Sequence, residues 1–166
     1  MPLMEALSKR SSLREFSTAE IDNQVLSNLL WAAWGYNREN KRTAPSAMNI
    51  QEIQLYVFLK SGAYLYDARN NILLQISKQD LRKVTYNQEY VAPAPINIVF
   101  VSDQKKGGGS SATNAGFISQ NIYLFCASEG LATVVRSSFD VKAISIALKL
   151  KMTQVPILAQ TVGKEK

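Results

Sequence analysis

The run Pro95-Ile-Asn-Ile-Val-Phe-Val constrains the fold of this chain more than any other segment. Its β-branched and aromatic residues predict a strand over 94–102. Apolar residues fall on both sides of this strand, so it is expected to be buried on both faces. The sheet that contains such a strand must be covered by other elements on both sides.

Helical periodicity supplies elements that can provide this cover. Apolar residues recur at helical spacing across 21–34, with Thr18 as the predicted cap and Gly35 as the predicted end. Further helices are predicted near residues 3–10, 80–84, 112–128 and 141–150. Strands are predicted at 53–60, 63–67, 72–74, 133–135 and 157–162. Long helices that alternate with a few strands favour a mixed α/β sandwich with helices on both sheet faces.

The composition fits one globular domain spanning residues 1–166. Hydrophobic residues make up 46% of the 166 positions and charged residues 19%, and no segment is rich enough in Pro, Gly or Ser to be a linker. The net charge of +6 admits nucleic-acid binding. Because the lysines and arginines are dispersed, we instead expect no nucleic acid and a surface that attracts small anions. No apolar run reaches the roughly 18 residues of a membrane span.

The chain contains no histidine and only one cysteine, Cys126. This composition excludes the usual Cys/His zinc sites and nucleophiles that depend on a histidine base. Chemistry must therefore come from a cofactor or from carboxylates, hydroxyls and amines. Cys126 lies in an apolar run, which predicts a small buried core residue.

Three separate segments carry candidate binding residues. They are Lys9-Arg-Ser-Ser-Leu-Arg-Glu-Phe16, Arg42-Thr-Ala-Pro-Ser-Ala-Met-Asn-Ile-Gln51 and Val135-Arg-Ser-Ser-Phe-Asp140. Each places small hydroxyl or amide residues beside arginine or at a turn into a helix, where free N–H groups and positive charge can hold an anion. If the first helix continued, Arg10 and Arg14 would share one face about 6 Å apart. Together the three segments predict a phosphate-bearing cofactor.

Two other features of the sequence have some of the character of a cofactor-binding segment. The segment Lys105-Lys-Gly-Gly-Gly-Ser-Ser111 does not have the spacing of a phosphate-binding P-loop, so a flexible loop before the next helix is predicted. Trp31 and Trp34 could stack on a cofactor, but their helical spacing favours a place in the core or in an interface.

In order and spacing, the three segments resemble the FMN-dependent nitroreductase family over nearly the whole chain. The shortness of the chain and the segment Arg42-Thr-Ala-Pro-Ser46 are similar to a compact branch of the superfamily that also includes thiazole- and oxazole-forming dehydrogenases. The resemblance implies an α+β (α/β sandwich) fold with a central, mostly antiparallel sheet flanked by helices. It also implies a homodimer with two shared FMN sites.

The first segment resembles the part of the family that holds the flavin directly. Arg10 takes the place of a residue that holds the ribityl phosphate, with Ser11 and Ser12 as short donors in the same patch. Arg14 takes the place of the basic residue at the N1/O2 edge of the ring, where it would stabilise the negative charge that reduction leaves there. Asn87 falls where the family has an amide at the pyrimidine edge.

The other segments imply further contacts. Residues Pro45, Ser46, Ala47 and Asn49 match a stretch that the family donates to the flavin of the partner subunit. Read without the resemblance, Pro45-Ser46 is simply a helix start.

Ser137 and Ser138 stand where a backbone N–H faces flavin N5, although many members have an acidic residue and Gly there. Gly163 and Lys164 match a late turn, after which many members have a Lys/Arg pair for phosphate. Here Lys164 or Arg42 would replace that pair.

The resemblance implies ping-pong hydride transfer from NAD(P)H through FMN to a nitroaromatic, quinone or similar acceptor. Such an enzyme needs no catalytic side chain, because the flavin carries the chemistry. Two alternatives stay open: a flavin-dependent dehydrogenase of a peptide azoline, and a non-catalytic fold relative that has lost FMN. A cytoplasmic location is expected, although Met1-Pro2-Leu3-Met4 leads straight into a helix and would also fit a chain trimmed of an upstream leader.

Overall fold

The computed structural model describes residues 1–166 and contains eight strands and five α-helices. The strands are β1 (Tyr36–Arg38), β2 (Lys41–Arg42), β3 (Ile53–Leu59), β4 (Gly62–Asp67), β5 (Ile72–Ser77), β6 (Ile96–Asp103), β7 (Ala132–Arg136) and β8 (Gln154–Gly163). The helices are α1 (Leu3–Lys9), α2 (Asn23–Trp34), α3 (Gln104–Gly107), α4 (Ser111–Glu129) and α5 (Val141–Ala147). Short 3₁₀ turns lie at Ala47–Asn49, Arg82–Thr85, Glu89–Val91 and Gly108–Ser110.

Six strands form one sheet in the order β5-β4-β3-β6-β8-β7, and every neighbouring pair is antiparallel. β6 lies between β3 and β8, with Val99 opposite Tyr56 on one side and Ala159 on the other. All residues from 96 to 102 are buried. The predicted strand at 94–102 is therefore confirmed, and its position explains why both of its faces are apolar.

Helices cover both faces of this sheet, as predicted. On one face α2 and α4 pack against β3, β6 and β8, and the buried side chains there include Leu29, Ile118, Val57, Ile98 and Phe100. On the other face α5 contributes Ile144 to a smaller cluster around Phe58 and Val99. The architecture is thus an α+β sandwich with a fully antiparallel central sheet.

Local hydrogen bonds explain where the long helices begin and end. α2 begins after Asp22, whose Oδ1 accepts the N–H of Gln24 at 2.7 Å, so the prediction of Thr18 as its cap is wrong. It ends as predicted at Gly35, whose N–H donates to the Trp31 carbonyl at 2.8 Å. α4 ends at Gly130 in the left-handed conformation (φ 67°), which glycine adopts without strain.

Three other segments differ from the sequence prediction. The helix predicted over 141–150 stops at Ala147, because Lys149 takes a left-handed conformation with φ 53°. At 80–84 the structure has a 3₁₀ turn over Arg82–Thr85 instead, since Asp80 Oδ1 binds the Arg82 N–H and fixes its start. Residues predicted as a flexible loop form α3 and a 3₁₀ turn.

The chain ends in a longer strand than predicted, and β1 and β2 form a small hairpin that the sequence did not indicate. Trp34 is buried in the core, whereas Trp31 on the same helix is 45% exposed. Cys126 is buried as predicted, and burial raises the pKa of its thiol to about 12. None of the helices combines the length and apolar character required to cross a membrane.

Candidate functional site

The first candidate segment leaves α1 in an extended conformation. The helix ends at Lys9, and Arg10 has φ −57° and ψ 123°. The prediction that Arg10 and Arg14 share a helical face is therefore wrong. The segment after α1 is extended because it hydrogen-bonds the sheet instead of continuing the helix. The Leu13 N–H donates to the Thr133 carbonyl of β7 at 3.0 Å. We call residues 10–17 the N-terminal arm.

The arm then crosses to the end of β8. The Ser17 N–H donates to the Lys164 carbonyl at 2.9 Å, and Phe16 forms an isolated antiparallel bridge with Glu165. Gly163 lies under this crossing, where a Cβ atom would come within 3.0 Å of the Phe16 ring and 3.1 Å of Pro95. Glycine thus allows the close approach that brings Lys164 beside the arm.

Tyr123 of α4 holds the arm through a hydrogen bond with Ser12. Its hydroxyl accepts the Val135 N–H at 3.0 Å and lies 2.8 Å from the Ser12 hydroxyl. The Arg10 guanidinium lies over its ring, 5.3 Å from the ring centre. Sequence reasoning missed Tyr123, although it is the one hydroxyl in an apolar run.

Three cations on or beside the arm make no ion pair, although Glu15 and Glu165 lie in the same region. Arg10 is half-buried and Arg14 and Lys164 are exposed, and none of the three takes part in an ion pair. Ser11 lines a small cavity of about 190 Å³ together with Lys9, Tyr123 and Glu165. The arrangement leaves several donors free for an anion.

The third candidate segment begins where β7 ends. Ser137 and Ser138 are exposed there and make no side-chain hydrogen bond. They follow Val135, which Tyr123 connects to the arm. The first and third segments are therefore brought together at Ser12 and Val135. Gly163 pairs with Ala132 at the other end of β7.

Between these segments Arg136 is buried, with 6% of its surface exposed. Its guanidinium donates from Nε to Thr161 Oγ1 at 3.0 Å, from Nη2 to Asn97 Oδ1 at 2.9 Å, and from Nη1 to the Thr85 carbonyl. Burial lowers the pKa of Arg136 to about 10. Arg136 belongs to a motif that the sequence singled out, but its inward direction depends on partners far away in the chain.

Asn87 lies two residues after Thr85 in the irregular stretch between two 3₁₀ turns. Its side chain is exposed and makes no hydrogen bond within the chain. The bond from Arg136 to the Thr85 carbonyl connects this stretch to the end of β7. The stretch that contains Asn87 is thus tied to the third segment through the Arg136 side chain.

The second candidate segment, residues 45–51, forms a tight loop rather than the start of a long helix. Met48, Asn49 and Gln51 all have positive φ, and Met48 is 92% exposed. The Ser46 hydroxyl accepts the Gln51 N–H at 3.1 Å. Gln51 also binds the Asn40 carbonyl and Asn49 Oδ1, both at 2.9 Å, so the loop is closed by its own side chains.

Buried polar groups attach this loop to the first turn of α4. The Ala47 N–H donates to Asn114 Oδ1 at 3.0 Å, and Asn114 Nδ2 donates to both carboxyl oxygens of Glu52 at 2.9 and 3.1 Å. Glu52 is 2% exposed and Asn114 is fully buried. Sequence reasoning missed both residues; a charged residue directly before an apolar strand is the signal that could have indicated Glu52.

Within one chain the loop and the arm are separate. Asn114 and Tyr123 are nine positions apart on α4, which places them about 14 Å apart along the helix axis. Arg42 lies with the loop, where its guanidinium stacks over Tyr36 at 4.0 Å and binds Gln51 and the Trp34 carbonyl. The Lys164 carbonyl accepts the N–H of Ser17, so of the two suggested replacements only Lys164 contacts the arm.

Comparison with known proteins identifies the family that the three segments resemble. The model of the nitroreductase family matches residues 7–164. A candidate nitroreductase of Methanocaldococcus jannaschii, MJ1384, is 28% identical over 182 residues, covering 98% of this chain and 91% of that protein.

Two solved structures extend the comparison. The crystal structure of a candidate nitroreductase from Ralstonia eutropha JMP134 is 38% identical, with a TM-score of 0.93 over 100% of this chain and 84% of that one. An FMN-dependent nitroreductase from Clostridium difficile R20291 is 18% identical, with a TM-score of 0.72 over 98% of this chain and 87% of that one. At this lower identity the second structure shows a shared fold alone.

Proposed function

The chain belongs to the nitroreductase family, and on this premise we propose that it is an FMN-dependent oxidoreductase. In this proposal residues 1–166 act as one nitroreductase-like domain that takes hydride from NAD(P)H. The hydride then passes to a nitroaromatic, a quinone or a similar small acceptor, and the proposed compartment is the cytoplasm.

One observation carries the proposal. Three cations that make no ion pair, Arg10, Arg14 and Lys164, lie on the N-terminal arm or on the residue of the chain end that hydrogen-bonds to it. Side chains of this kind bind phosphate and carbonyl oxygen strongly, because charge-assisted hydrogen bonds are about twice as strong as neutral ones. A ligand with a phosphate at one end and a polar ring at the other would use both parts of the cluster.

The residues present fit such a ligand, because the side chains of Arg10, Ser11 and Lys164 make no hydrogen bond within the chain, while Ser12 is held by Tyr123. Arg10, Ser11, Ser12 and Lys164 are assigned to the phosphate, with Gly163 allowing the arm to lie close to β8. Neither Arg10 nor Lys164 takes part in an ion pair within the chain.

The other side of the cluster is assigned to the ring. Arg14 is exposed, makes no ion pair and is assigned to the N1/O2 edge. Asn87 is assigned to the pyrimidine edge, and the main chain at Ser137 and Ser138 to the region of N5. When bound, FMN supplies two-electron hydride chemistry, while the chain orients the ring and stabilises negative charge.

The proposal includes a homodimer in which Pro45, Ser46, Ala47 and Asn49 contact the flavin of the partner subunit. The separation of about 14 Å along α4 between the loop and the arm supports it, since one chain alone does not gather both. Apolar side chains are also left on the outer faces of α2 and α4: Trp31 is 45% exposed and Phe117 is 43% exposed. Burial of such aromatic surface typically contributes to stable subunit interfaces.

The experiment that tests the function is purification followed by flavin analysis. The protein should be yellow, release FMN on denaturation, and bleach under anaerobic conditions when NADH or NADPH is added. Regeneration of the colour by a nitroaromatic or a quinone would complete the cycle. A colourless protein that takes up no FMN would instead favour the non-catalytic relative.

Light scattering tests the dimer independently. A mass of two chains is expected in the flavin-bound protein. A monomer that binds FMN tightly would contradict the proposed donation of the 45–51 loop.

A further inference from the structure

Arg136 is a buried cation without an anionic partner, which is a rare situation in a folded protein. The chain has two ion pairs, Lys9–Glu5 and Arg82–Asp80, and neither includes Arg136. Its three acceptors are a hydroxyl, an amide oxygen and a peptide carbonyl, and all are neutral. The hydrogen bonds satisfy the guanidinium, but its charge is not compensated.

The acceptors form a chain with a defined direction. Thr161 Oγ1 accepts from Arg136, so its hydroxyl proton is directed to Asn97 Oδ1 at 2.8 Å. Asn97 Oδ1 therefore accepts from two donors, Arg136 Nη2 and Thr161 Oγ1. This fixes the orientation of the amide, because the reverse orientation would place the Nδ2 donor against these two donors. The remaining atom, Asn97 Nδ2, is buried and has no hydrogen-bond partner.

The position of Arg136 relates it to the proposed flavin site. Arg136 directly precedes Ser137 and binds the carbonyl two residues before Asn87. Both neighbours belong to the ring side of the proposed flavin site. Reduction adds negative charge to the flavin, and a positive charge held in a low-dielectric interior interacts with it more strongly than an exposed charge does.

We propose that Arg136 is a positioning residue of the flavin site that also supplies its buried positive charge. It ties the Asn87 stretch to the end of β7, and its uncompensated charge favours the reduced over the oxidised flavin. This inference rests on the proposed function, because it concerns the same site. It assigns a charge that acts from beneath the site, in addition to the exposed Arg14.

The orphan atom of Asn97 provides a way to separate charge from geometry. Replacement Asn97→Asp keeps the shape and the oxygen that accepts from Arg136 and Thr161. It exchanges Nδ2, which makes no hydrogen bond, for a second carboxyl oxygen. The substitution therefore places a carboxylate against Arg136 and cancels its charge while the three donor bonds are kept.

The experiment measures the midpoint potential of bound FMN in the wild type, Asn97→Asp and Asn28→Asp. Asn28 is exposed on α2 and uses its oxygen to accept from Gln24, so Asn28→Asp adds the same charge at the surface. We expect Asn97→Asp to retain its fold and its FMN. Its preference for reduced over oxidised flavin should fall roughly tenfold, or about 30 mV for a two-electron couple. Asn28→Asp should leave the potential unchanged.

A second variant, Arg136→Met, removes both charge and hydrogen bonds. Its bound FMN should show the same decrease in midpoint potential as in Asn97→Asp. The variant should also bind oxidised FMN more weakly, because the Asn87 stretch is no longer held. Equal potentials in Asn97→Asp and Asn28→Asp would overturn the inference and leave the proposed function standing. An Asn97→Asp protein that does not fold would contradict the hydrogen-bond chain and also overturn it. A wild type that binds no flavin would overturn both proposals.

Discussion

The two ends of α4 hold two candidate segments in contrasting ways. Near its start, Asn114 and Glu52 form a buried network that closes on the 45–51 loop, and the polar side chains of that network bind one another. Further along, Tyr123 holds the N-terminal arm, but Arg10 and Arg14 are left without acidic partners. One helix thus anchors two networks. We call the one around Asn114 and Glu52 the closed network, because its polar groups bind one another, and the one around Tyr123 the open network, because its cations are left free.

The contrast separates residues that shape the protein from residues that are available to a ligand. A buried polar group that loses its partner costs stability, whereas an exposed cation without a partner costs almost none when it is removed. Substitutions in the closed network should therefore weaken folding. Substitutions of the free cations should weaken ligand binding or chemistry and leave folding intact.

The largest expected effect is on stability, from Asn114→Leu in the closed network. This change removes the donor to both oxygens of Glu52 and the acceptor of the Ala47 N–H. A buried carboxyl group left without its hydrogen bonds should lower the free energy of unfolding by about 3 kcal/mol. Urea denaturation would measure it, with Gln120→Leu on the exposed side of α4 as the matched control. A loss within the range of the control would mean that the network is not the anchor of the loop.

The next effect is on rate, from Arg14→Ala in the open network. Arg14 makes no bond within the chain, so the free energy of unfolding should change by less than about 0.5 kcal/mol. Flavin reduction should slow on the order of 10²-fold, because a fixed charge beside the developing negative charge is lost. Stopped-flow reduction of the flavin would measure it, with Lys142→Ala on α5 as the control for loss of an exposed cation. Normal reduction in Arg14→Ala together with slow reduction in Arg10→Ala would reverse the two assignments.

Arg10→Ala should act on binding rather than on rate. A charge-assisted contact to phosphate contributes about 1.5–3 kcal/mol, or roughly 10- to 150-fold in affinity. FMN should therefore weaken far more than riboflavin, which has the same ring and ribityl chain but no phosphate. Titration of both flavins into the apoproteins would make the comparison. An equal loss for the two ligands would mean that Arg10 shapes the pocket through its stacking on Tyr123 instead of holding phosphate.

The sequence predicted the sheet and the long helices well because their signals are local. The strand at 94–102 has apolar residues on both sides, and the helix at 21–34 has a periodic face and a terminal Gly35. The start of that helix was predicted at the wrong residue, because Thr18 and Asp22 are both good caps and tertiary packing decides between them. The left-handed residues of the 45–51 loop carry no glycine, so no composition signal indicated the turn.

The candidate site was predictable where a motif was contiguous and not where partners are remote. Residues 10–14 and 135–138 were identified, and the structure brings these two segments together. Tyr123 was missed because its partner Ser12 is 111 positions away. The inward direction of Arg136 could not be inferred either, because the Thr85 carbonyl that it binds is 51 positions away.

The smallest expected effect comes from Tyr123→Phe, which tests whether the open network is held as argued. The ring remains, so its packing and the position of Arg10 over it are kept, while the hydroxyl that joins Ser12 to the Val135 N–H is lost. Loss of one such hydrogen-bonded group should lower the free energy of unfolding by about 1 kcal/mol.

Tyr123→Phe should also weaken FMN and riboflavin by the same small factor, because the arm loosens as a whole and no phosphate contact is removed. Ser12→Ala, alone and combined with Tyr123→Phe, would complete a double-mutant cycle on unfolding and on flavin affinity. Non-additive losses are expected, since the two hydroxyls bind each other. Additive losses, or a selective loss of FMN in Tyr123→Phe, would show that Tyr123 does not act through the arm. In that case the open end of α4 would be organised by β7 and β8 alone.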